Sequence, residues 1–130
     1  MARKGQDIQE RAFRFACRVV KLHGHLCKKQ RDYRSLSQQL LRSATSIGAN
    51  LEEAEAGQSR ADFRSKIGIA VKEAREAHYW LRLLVACGLV PADRITDLVE
   101  EANQIVAILT TILRKSKEPS TPKAVCDATP

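Results

Sequence analysis

Cations set in a row are the most pronounced chemical pattern in this chain of 130 residues. Arg11, Arg14, Arg18, Lys21 and Lys28 recur at helical spacing, and Lys29, Arg31 and Arg34 follow. Such a row can track a phosphate backbone, with affinity that comes largely from released counterions. The competing reading is a solvated helix face that binds nothing. Only Tyr33 lies near enough to stack on a base, so recognition would be of shape and phosphate, as in structured RNA. The net charge of +7 supports a polyanionic partner because it is localised. Residues 1–34 carry +7, residues 35–88 carry +1 and residues 89–130 carry −1.

A second group combines carboxylates with polar residues: Arg42, Ser46, Asn50, Glu53, Glu73, Glu76 and Trp80. Facing carboxylates in a helical core could serve as an acid–base pair or hold two irons. A di-iron site needs Glu-x-x-His on two helices. The histidines are His23, His25 and His78, and none stands three residues after a glutamate. The di-iron reading fails on that count. A carboxylate here more naturally accepts hydrogen bonds from Ser46, Asn50, Arg42 or Arg75, within the subunit or across a subunit boundary. Ser46, Asn50, Glu53, Glu76 and Trp80 are therefore expected to be structural or interface residues.

His23, His25 and Cys27 are the remaining candidate ligands. Alternate residues on a helix diverge by about 200°, so they converge on one ion only if the helix frays after Gly24. No metal or cofactor is expected. The four cysteines, Cys17, Cys27, Cys87 and Cys126, form no C-x-x-C pair. Buried, reduced thiols in a cytoplasmic protein are the default. No apolar run is long enough to span a membrane, and the basic start lacks the apolar stretch of a secretory signal. There is also no glycine-rich phosphate loop and no nucleophile elbow, which argues against an enzyme.

Four amphipathic helices must position these residues. The first is expected from Asp7 to about Lys29, capped by Asp7 and Glu10, with a seam of Ile8, Ala12, Phe15, Val19, Leu22 and Leu26. Phe13, Ala16, Val20, His23 and Cys27 add a second apolar row. Gly24 should weaken the last turns by roughly 1 kcal/mol. A polar, basic connection from Gln30 to Arg34 follows. The second helix is expected to begin with a capping box at Ser35 and Gln38 and to end near Gly57. Its seam is Leu40, Ala44, Ile47 and Leu51. Beside it runs a polar row of Ser43, Ser46, Asn50 and Glu53, either a solvated flank or a close helix crossing in which Asn50 fixes the register.

Ser59 and Asp62 can cap the third helix, whose seam is Phe63, Ile67, Ala70, Ala74, Ala77, Leu81 and Leu84. Gly88 should close it. The fourth helix spans about Ala92 to Ser116 along Ile95, Leu98, Ala102, Ile105, Leu109 and Ile112. From Lys117 onward two internal prolines and little apolar content point to a disordered tail. The domain is thus expected over 1–116 and the tail over 117–130. The simplest architecture is all-α, an antiparallel up-down-up-down four-helix bundle. Apolar width beyond the core seam on the first and third helices (Tyr79, Trp80, Leu83 and Cys87 on the latter) argues for a homo-oligomer.

The stretches LLRSATSIGANLEE, QSRADF and IAVKEAREAHYWLRLL together resemble a family of bacterial four-helix bundle proteins. These occur in open reading frames within intervening sequences of large-subunit ribosomal RNA genes, and a related branch serves diversity-generating retroelements as accessory proteins. The likeness covers Phe13 to Leu113. It rests on Ser46, Ile47, Ala49, Asn50, Leu51 and Glu53, on Phe63, and on Ile69, Ala70 and Glu76. Ala54 and Glu73 stand where many members have Gly and Ser. The resemblance implies a non-enzymatic bundle that forms a ring-like homo-oligomer, often a pentamer, with a basic surface suited to RNA. The resulting expectation is a cytoplasmic scaffold for structured RNA. Its competitor is an adaptor docking an acidic protein partner.

Overall fold

The computed structural model describes residues 4–29 and 33–117, and these form four helices with no strand among them. They are α1 (Lys4–Lys29), α2 (Arg34–Glu55), α3 (Arg60–Ala86) and α4 (Ala92–Lys117). The apolar seams read from the 3.6-residue repeat become one shared core. Ile8, Ala12, Phe15, Val19 and Leu26 of α1 meet Leu40, Ala44, Ile47 and Leu51 of α2 in it. Ile67, Ala70, Ala74, Ala77, Leu81 and Leu84 of α3 join Ile95, Leu98, Ala102, Ile105 and Leu109 of α4. The most extensive contact is between α2 and α3, where Ala44, Ala70, Ala74 and Ala77 are fully buried and let the backbones approach. The slightest is between α1 and α4.

Helix ends depart from the expectation at two places. α1 begins at Lys4, so Asp7 lies inside its first turn and no capping box starts there. A carboxylate in that turn still favours the helix, because it faces the positive end of the macrodipole. α2 begins at Arg34 after Tyr33, with no side-chain cap, which places Ser35 inside the helix. The expected cap at Ser59 does form: its hydroxyl accepts a hydrogen bond from the Asp62 N–H at 3.0 Å.

At the end of α3 the chain turns sharply. Gly88 adopts φ +72°, the left-handed conformation that a side chain disfavours. Its N–H donates to the Val85 carbonyl, and the Leu89 N–H donates to the Leu84 carbonyl, both at 3.0 Å. This pair of bonds is the Schellman arrangement, which satisfies the last carbonyls and sends Pro91 toward α4. Gly57 closes α2 without a positive φ. A Cβ there would lie 3.3 Å from the Ala54 carbonyl oxygen and 3.4 Å from Asp62 Cβ, so the position is held small by crowding. Lys117, the first residue of the expected tail, is the last residue of α4; the rest of that tail and residues 30–32 of the first connection lie outside the described residues.

Candidate nucleic-acid interface

Because the α1 seam turns inward, its basic flank is carried outward beside it. Arg14, Arg18, Lys21 and Lys28 are exposed, and Arg34 is exposed at the start of α2. Arg14 to Lys28 covers four turns, about 21 Å of helix. Asp7 and Glu10 stand at the N-terminal end of this face. Glu10 accepts a hydrogen bond from Arg14 Nε at 3.2 Å, with both side chains largely in water. An exposed i,i+4 pair of this kind is worth only a few tenths of a kcal/mol and is readily exchanged for another anion. The Lys29 side chain and Arg31 lie outside the described residues.

Arg11 departs from the expectation that it belongs to this face. Its Nε donates to Glu101 Oε2 and its Nη2 to Glu101 Oε1, each at 2.8 Å. Nη2 also donates to Gln104 Oε1 at 2.7 Å. Both charged side chains are about three-quarters buried. The hydrogen bond to Glu101 is the main reason that the Arg11 pKa rises above the ordinary arginine value, against the opposing effect of burial. Such a fork binds a carboxylate in two places at once and leaves little capacity for a phosphate. Arg11 is therefore a clamp between α1 and α4, the neighbouring helices with the slightest contact. Arg11→Ala is expected to cost about 1–3 kcal/mol, the scale for losing a charged hydrogen-bond partner. Thermal unfolding checks it, and an unchanged melting temperature contradicts the clamp.

The polar constellation on α2 and α3 separates into smaller groups. Asn50 Nδ2 donates to the Ser46 carbonyl at 2.8 Å and to Ser46 Oγ at 3.0 Å. The amide thus turns back onto its own helix, and its hydrogen bonds fix no register within the subunit. Glu53 is exposed and pairs with Lys66 at 2.7 Å. Arg42 gathers the other two carboxylates: Nη1 donates to Glu73 Oε1 at 3.2 Å, and Nη2 donates to Glu76. A guanidinium shared between two carboxylates of the next helix ties α2 to α3, which suits a structural role better than acid–base work. Beyond them the Trp80 indole N–H is buried without a partner among the described residues. Tyr79 stacks edge-on against Trp80 with ring centroids 5.2 Å apart.

His23 and His25 go separate ways, as their spacing requires. His23 Nδ1 lies 2.7 Å from Ser37 Oγ on α2, and its Nε2 lies 3.4 Å from Cys27 Sγ. His25 lines a cleft between α1 and α4. Among the described residues no three His, Cys, Asp or Glu side chains are grouped to hold a metal ion. No described helix is long and apolar enough to cross a membrane. Ser37 is fully buried and was not singled out from the sequence. Its only local signal is a position three residues before Leu40, on the core side of α2.

The profile of the 23S rRNA-intervening sequence protein family matches residues 4–111, which span all of the described helices but the last turns of α4. A crystal structure at 1.70 Å resolution is similar over most of this length: a protein with unknown function from the S23 ribosomal protein family, from Bacteroides thetaiotaomicron. The two chains are 38% identical, with a TM-score of 0.81 over 86% of this chain and 99% of that one. No curated protein matches the chain. A match over most of the sequence, joined to a four-helix fold shared at this identity, is decisive: the chain belongs to the 23S rRNA-intervening sequence protein family.

Proposed function

We propose that this protein is a non-enzymatic, oligomeric scaffold that holds structured RNA on the cationic side of α1. The observation that carries the reading is the exposure of Arg14, Arg18, Lys21 and Lys28 along one helix flank. The acids of α1 itself are Asp7 and Glu10, both near the start of that flank. Phosphate recognition needs no more than this, and retention of labelled structured RNA across a salt series tests it. A specific protein that copurifies in place of RNA would favour the adaptor reading.

An antiparallel up-down-up-down bundle fits the side-chain pairs. Arg42 of α2 meets Glu73 and Glu76 of α3, whereas Glu53, farther along α2, meets Lys66, nearer the start of α3. Assembly is supported by exposed apolar side chains on two different helices. Phe13 is 64% exposed and Val20 49% exposed on α1, while Tyr79 is 52% exposed and Ile69 37% on α3. Unlike exposed apolar side chains on two helices favour a head-to-tail contact, which closes as a ring such as a pentamer, over a two-fold dimer. On this reading Glu76 and Trp80 border the α3 side of the contact, and Ser46, Asn50 and Glu53 lie along its α2 edge. Phe13→Glu combined with Val20→Glu is expected to convert the oligomer to a folded monomer in light scattering. An unchanged mass would remove this face from the interface.

A further inference from the structure

At the far end of the α1–α4 seam from the Arg11–Glu101 clamp, the two helices part around a cleft of about 580 Å³. Its size falls within the range of small-molecule sites. Leu22 and Leu26 of α1 and Ile95 and Leu98 of α4 line it, and the Leu89–Pro91 turn adds a further apolar wall. Arg18, Lys21 and His25 line it as well, and all three are exposed to solvent. No described lining residue is acidic. We infer that this cleft binds a medium-chain carboxylate, with the alkyl chain on the leucine and isoleucine floor and the headgroup between Arg18 and Lys21.

Three features select this chemistry. The cations stand on the α1 side, so a bound anion can meet them while its tail leaves water against the apolar floor. The floor is aliphatic and offers no side-chain hydrogen-bonding group, so a base edge turned onto it would go unpaired, whereas an alkyl chain has no such edge. The cleft is also short. Arg18 to Leu26 spans about 12 Å of α1, so a partner helix seated there would have little more than two turns in contact.

Arg18 and Lys21 also belong to the proposed RNA surface, and the test separates the two uses. Calorimetric titration of the full chain with octanoate, decanoate and dodecanoate is expected to show affinity rising roughly fourfold per methylene until the cleft is filled. Arg18→Gln with Lys21→Gln is expected to weaken decanoate by about tenfold or more, the equivalent of one charged contact. A neutral decyl glucoside should not compete. Leu22→Asn, checked for retained helix content, should weaken decanoate and leave salt-sensitive RNA retention unchanged. Absence of binding, affinity indifferent to chain length, or equal affinity in the Arg18/Lys21 variant would overturn the inference. Self-association that is lost in Leu22→Asn would do so too, since a second copy would then occupy the cleft. Loss of the RNA reading with the chain-length series intact leaves the inference standing, and the reverse result removes the cleft ligand alone.

Discussion

A chain carrying Arg14→Glu, Arg18→Glu and Lys21→Glu is expected to lose retention of structured RNA by at least about a hundredfold at low salt while keeping its fold. The size follows from counterion release: each neutralised phosphate contributes a slope of about −0.7 to −0.9 in log affinity against log salt. Four exposed cations on one subunit, Arg14, Arg18, Lys21 and Lys28, imply a slope near −3 for the native chain. Raising salt fourfold should then weaken binding by about sixtyfold per subunit engaged. Reversing three charges removes most of these contacts and adds repulsion. The fold should tolerate the change, because all three side chains are exposed and glutamate is a good helix former. Arg11 is left in place for the same reason: its fork to Glu101 makes it a stability residue, and changing it would confound the result. Retention that is equal in the variant, or equal at low and high salt, would rule out phosphate recognition by this face.

Phe15→Ala is expected to produce the largest loss of stability, about 3–5 kcal/mol. Phe15 is 1% exposed and is the bulkiest side chain at the centre of the α1 seam. Its removal forfeits the transfer free energy of the ring and leaves a cavity that rigid helices fill only in part. In a domain with about 5–15 kcal/mol of total stability, this amounts to a fall of about 10–20 °C in melting temperature. Phe13→Ala, two residues earlier, is the informative contrast. That ring is 64% exposed, so its loss should barely change the stability of the subunit and should act on assembly instead. Far-UV circular dichroism melts at one fixed protein concentration distinguish them, since oligomer stability depends on concentration. Equal losses from the two substitutions would mean that α1 is rotated from the orientation described.

The four helices were legible because their apolar residues repeat with the period of the helix. Burial of that repeat needs no knowledge of which helix lies opposite. The seams of α1 and α3 illustrate it: each residue assigned to them from spacing is buried except Leu22 and Phe63, which are partly so. Two of the helix starts were less legible. Asp7 and Ser35 carry capping side chains, yet α1 begins three residues and α2 one residue ahead of them, because packing and further backbone hydrogen bonds extend a helix past a local stop. At Ser59 the cap and the boundary coincide.

The chemistry of the candidate site divides in the same way. The outward direction of Arg14, Arg18, Lys21 and Lys28 was legible in the sequence alone, since they stand off a continuous apolar seam that turns to the core. The choice between Arg11 and Arg14 was made only by the tertiary structure. They are three residues apart in one basic row, but α4 brings Glu101 and Gln104 to Arg11, while Arg14 has only Glu10 of its own helix. The same holds for Ser37 with His23 and for Arg42 with Glu73 and Glu76. A helical repeat specifies which side of each rod is greasy. Which polar groups meet across two rods depends on their relative height and rotation, and these are settled by how all four cores interlock.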